Sequence, residues 1–124
     1  MKFHPIGLLM GDTFSPSQAE KKTGLRFVSK NEPGEVSKRG RYRHTPRPYG
    51  AAKISPRSTS HAAIQELLDI LSTNAPLLRE CGVEEIKYYL TVSYEPSEEQ
   101  CNLEFDVGFL KALGELGIPL LISI

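Results

Sequence analysis

Tryptophan is absent from this chain of 124 residues, and cysteine occurs only twice, as Cys81 and Cys101. Two thiols twenty positions apart, with no Cys-x-x-Cys pair, make neither a disulfide framework nor a zinc site, so reduced, buried thiols are expected. Long apolar runs are missing as well. Residues 5–10 and 118–124 are the length of strands, too short for a signal-peptide core or a membrane span, which favours a cytoplasmic protein. No phosphate-cradling glycine loop, nucleophile elbow or EF-hand spacing occurs. His4, His44 and His61 show no metal-ligand spacing, so no metal or cofactor is expected.

Net charge is the last absence: fifteen Lys and Arg balance fifteen Asp and Glu. The balance conceals a division. Residues 1–62 hold twelve basic and four acidic side chains, 12 − 4 = +8, whereas residues 63–124 hold three and eleven, 3 − 11 = −8. A neutral chain built from two opposed fields presents surfaces that attract different partners.

The length suits one domain with a single core. A first strand is expected over Phe3–Met10. Ser15 then caps a short helix with Pro16 at its first position and Gln18 at the capping-box position, and Gly24 ends it. Leu25–Lys30 reads as a strand, and Glu32-Pro33-Gly34 as a type II turn. Residues 37–49, broken by Pro46 and Pro48, read as an exposed basic loop, with a strand resuming over 49–54. Ile64, Leu67, Leu68 and Leu71 mark one face of a helix capped by Ser60 and interrupted at Pro76. Ile86, Tyr88, Leu90, Val92 and Tyr94 alternate with polar neighbours as a half-buried strand. Leu103–Phe105 reads as a short strand. Asp106 caps a last helix with Val107, Phe109, Leu110, Leu113 and Leu116 inward, Gly117 stops it, and a strand follows. The expected fold is an α+β sandwich in the order β-α-β-β-α-β-α-β, a mostly antiparallel sheet with helices on one face.

Two charged sets are candidate surfaces. Glu84, Glu85, Glu95, Glu98, Glu99 and Glu104 form an acidic set in turns around well-patterned elements, a fixed rim suited to a preorganised protein partner. Lys38, Arg39, Arg41, Tyr42, Arg43 and Arg47 form a basic set with an aromatic ring, the ingredients of a nucleic-acid contact. A third reading, an enzyme, requires a pocket that joins histidine to carboxylates.

Gly11-Asp12-Thr13-Phe14-Ser15-Pro16 leading into a short helix, and Leu103-Glu104-Phe105-Asp106 leading into a Leu-rich helix, Gly117 and a terminal Ile-Ser-Ile strand, resemble a large bacterial family of unknown function. Its members are small cytoplasmic α+β domains, and some neutralise toxins of the contact-dependent growth inhibition type. The resemblance implies a non-catalytic immunity protein that binds a cognate toxin domain through a charged face, and it carries over no catalytic residues.

Overall fold

The computed structural model describes residues 1–36, 44–95 and 103–123. Eight elements follow in the expected order: β1 (Lys2–Gly11), α1 (Pro16–Thr23), β2 (Ser29–Asn31), β3 (Gly50–Ile54), α2 (Ala62–Glu80), β4 (Glu85–Ser93), α3 (Val107–Leu116) and β5 (Leu120–Ser123). The strands form one sheet in the order β2-β3-β1-β4-β5, antiparallel except for the β4–β5 pair. This is an α+β fold. The strands of the basic half, β2, β3 and β1, occupy one side of the sheet, and those of the acidic half, β4 and β5, the other.

Strict alternation decides which face the helices cover. Phe3, Pro5, Gly7, Leu9 and Gly11 of β1 are buried, as are Ile86, Tyr88, Leu90 and Val92 of β4 and Ala52 and Ile54 of β3. Onto these α2 lays Ile64, Leu67, Leu68, Leu71, Ala75 and Leu78. Gly7 leaves room in this layer: a Cβ there would sit 2.9 Å from Ile54 Cγ2 of β3, too close to fit without a shift, and 3.3 Å from Leu71 Cδ2 of α2. Helices α1 and α3 flank α2. Tyr88 is fully buried, and its hydroxyl donates to the Ile64 carbonyl at 2.7 Å, which satisfies a phenol that has left water. That burial pushes its pKa well above the ordinary tyrosine value.

Local signals set the boundaries where they act alone. Ser15 Oγ accepts from Gln18 N at 3.4 Å, and Gly24 and Gly117 close α1 and α3 in the left-handed region at φ 76° and 69°. The Pro33-Gly34 turn forms, with Gly34 at φ 79° and Glu35 N donating to Glu32 O.

Other expectations are corrected. Residues 25–28 are not a strand: Glu20 Oε2 takes the Phe27 N–H at 3.0 Å, Leu25 and Phe27 turn onto the core, and β2 begins only at Ser29. Ser60 does not cap α2, because its hydroxyl pairs with Ser58 Oγ at 2.8 Å and His61 takes the N-cap position. Pro76 does not interrupt α2, which continues to Glu80 with the ring on its exposed side. Asp106 occupies the N-cap of α3, but its side chain makes no capping hydrogen bond. Leu103–Phe105 is no strand, since Phe105 stacks on Phe109 with ring centroids 5.6 Å apart. Val107 and Leu110 face outward, and Tyr94 lies past the end of β4, exposed.

Candidate functional site

The acidic set divides between the two ends of β4. Glu84 and Glu85 stand at its start, Glu95 lies two residues past its end, and Glu104 lies beside Met1 and Phe3, which the antiparallel pairing places at that far end. Eight residues of extended chain separate Glu85 from Ser93, about 26 Å at the usual strand rise. Glu98, Glu99, Lys38, Arg39, Arg41, Tyr42 and Arg43 lie outside the described residues. Arg47 does not extend from a free loop: its N–H donates to Glu35 O at 2.9 Å, its carbonyl accepts from Gly34 N at 2.8 Å, and Val36 bridges Pro46.

At the near end the backbone itself builds a corner. Gly11, Gly50 and Gly82 let three chain segments touch. A Cβ on Gly11 would lie 2.0 Å from the Gly82 carbonyl oxygen, and one on Gly50 would lie 1.8 Å from that of Phe14. Gly82 adds a φ of 102°, a region closed to ordinary side chains. Across this contact Glu84 Oε1 accepts from Asp12 N at 2.9 Å, and Glu84 N donates to Met10 O at 2.8 Å. Arg79 reaches from the end of α2 to the carbonyls of Glu84, at 3.0 Å, and Leu116. Asn31 Nδ2 anchors the Tyr49 carbonyl at 2.9 Å. The result is an open recess of about 520 Å³ lined by Met10, Gly11, Asp12, Tyr49, Glu84 and Glu85. Its three carboxylates belong to exposed residues. In the sequence Asp12 belongs to the Gly11–Pro16 segment that carries the resemblance and Tyr49 offers a stacking ring beside the basic loop; neither signal places them in this recess.

At the far end the first turns of α2 and α3 meet. His61, Glu104 and Asp106 line a small cavity of about 100 Å³ with Ala62, Ile64, Gln65, Phe105 and Phe109. The same three border a shallower recess with Met1, Phe3 and Leu103. The His61 ring stands edge-on to Phe3, with centroids 5.4 Å apart, and Tyr88 packs edge-on to Phe109 beneath. This recess joins histidine to carboxylates, the requirement of the enzymatic reading. Its described lining contains no Ser, Thr, Cys, Lys or Tyr. Among the described residues no group of His, Cys, Asp and Glu is arranged to hold a metal ion. Cys81 is free and half-buried at the end of α2. No helix among the described residues is long and apolar enough to cross a membrane.

Comparisons with protein-family models, with curated proteins and with solved structures find no match.

Proposed function

We propose that the protein is a non-catalytic binding domain of the toxin-immunity kind, and that the glycine-locked corner of Asp12, Tyr49, Glu84 and Glu85 receives a basic surface of its partner. The observation that carries this reading is the rigidity of the corner. Its acidic side chains stand on backbone held by direct carbonyl and amide contacts, so little conformational entropy is lost when a cationic partner docks. Converging carboxylates of one sign also raise the association rate for a cationic surface, as on a nuclease that grips nucleic acid.

The test uses as its probe a toxin domain encoded by a neighbouring reading frame, with surface plasmon resonance and growth rescue as readouts; the lack of any such frame overturns the toxin-immunity reading. The expected result is a one-to-one complex whose association rate falls steeply with salt. Asp12→Lys with Glu85→Lys should slow association about a hundredfold and abolish rescue. Glu104→Lys, at the far end, should leave both unchanged. If reversing the corner leaves rate and rescue intact, the corner is not the recognition surface.

A further inference from the structure

We propose that the sheet face opposite the helices is a self-association surface, which pairs two copies of this chain face to face with their strands antiparallel. This inference does not rest on the partner-binding reading, although the two surfaces share Glu85 at one end of the face. All three helices lie on one face of the sheet, and the other carries the alternate side chains. The register arranges them in rows across the strands. Asn31, Ala51, Met10 and Glu85 form one row, and Ser29, Lys53, Leu8 and Lys87 the next. Ile6, Tyr89 and Leu121 follow, then His4, Thr91 and Ser123, and last Lys2 and Ser93. The central row is therefore apolar, and Leu8 and Met10 extend it along β1, with Lys53 and Lys87 on either side of Leu8. Ile6, Leu8, Met10, Ala51 and Tyr89 are half-buried, and Leu121 is exposed.

Charge selects the occupant. One end of the face ends in Glu85 with Asp12 just beyond, and the other ends in Lys2 and His4. A uniformly anionic partner would meet carboxylates at one end, and a uniformly cationic one would meet Lys2, Lys53 and Lys87. A second copy turned about an axis along the Ile6–Tyr89–Leu121 row meets neither conflict. It lays the Met10–Glu85 end of each copy over the Lys2–Ser93 end of the other, and Ile6, Tyr89 and Leu121 over themselves. Lys53 and Lys87 then face the level of His4 and Thr91 instead of each other. Sheets packed this way lie about 10 Å apart with strands within about 30°, within reach of long side chains. The area is sufficient: β1 extends about 33 Å and five strands span about 24 Å, so with short edge strands some 600 Å² per copy is covered. The total of about 1,200 Å² reaches the lower bound of stable specific interfaces.

Sedimentation equilibrium of the full chain tests the proposal. A dimer with a dissociation constant of about 1–100 μM is expected. Leu121→Glu, which sets like charges against each other at the axis, should weaken it about tenfold or more while circular dichroism and thermal unfolding show a folded monomer. Lys2→Glu and Glu85→Lys should each weaken it several-fold, and the double exchange should restore it, since the interacting ends simply trade sign. Lys2 and Glu85 are both exposed, so these variants test the geometry even if Leu121→Glu fails to fold. A monomer at about 100 μM overturns the proposal. If that monomer binds a labelled oligothymidylate through Lys53 and Lys87, the face belongs to nucleic acid instead. A dimer insensitive to Leu121→Glu, or a double exchange that does not restore pairing, also overturns it.

Discussion

The two faces of the same five strands differ in what the chain places on them, although neighbouring residues of the same type supply both. Leu9 is wholly buried under α2, whereas Leu8 lies half-buried on the open side. Tyr88 is sealed with its hydroxyl bonded to a helix carbonyl, whereas Tyr89, one residue on, sits at the centre of the open face. The difference teaches that the alternating pattern specifies one packed face and one open face. Stability resides in the first, and the proposed recognition surfaces lie on the second and at the ends of the strands.

The widest gap should come from the adjacent leucines. Leu9→Ala removes a fully buried side chain and should cost about 3–4 kcal/mol in urea unfolding, against about 1 kcal/mol or less for Leu8→Ala at monomer concentrations. Equal costs would mean that the open face is as tightly packed as the covered one. Next come the tyrosines. Tyr88→Phe leaves the buried Ile64 carbonyl without its phenol partner and should lower stability by about 1–2 kcal/mol, whereas Tyr89→Phe should change it by less than about 0.5 kcal/mol.

The smallest effect is electrostatic and lies on the first-half side of the sheet. The Lys30 ammonium and the Phe27 amide hold the Glu20 carboxyl below the usual carboxylate range. Glu32 feels a burial penalty that raises its pKa, but hydrogen bonds from Ser17 and Ser15 outweigh it and leave it lowered. A lowered folded-state pKa stabilises the fold above the unfolded value near 4.5 and loses that contribution as pH falls through the folded value. Thermal stability should therefore fall progressively below about pH 4.5, and Glu20→Gln should flatten the acid limb. An unchanged acid limb in that variant would remove Glu20 from the account.

The order of elements, the sheet with helices on one side, and the alternation in β4 were legible because periodicity and turn chemistry act within a few residues. Ser15, Gly24, Gly34 and Gly117 behave as their local rules require. Misreadings arose where a distant or competing group intervened: Glu20 capturing the Phe27 amide, Ser58 capturing Ser60, and Phe109 drawing Phe105 out of an extended strand. The candidate site was legible in part. Glu84 and Glu85 could be named from charge, yet their separation from Glu95 and Glu104 depends on strand register. Asp12 and Tyr49 join them only through a three-dimensional contact among glycines.

That contact has a consequence for how related chains could change partners. Where Gly11, Gly50 and Gly82 press backbone against backbone, no side chain can be added without prying the segments apart. The mould of the corner is thus closed to redesign by bulk. The tips of residues 12, 49, 84 and 85 remain exchangeable, so new specificity there would be written in charge and side-chain length upon an unchanging contour.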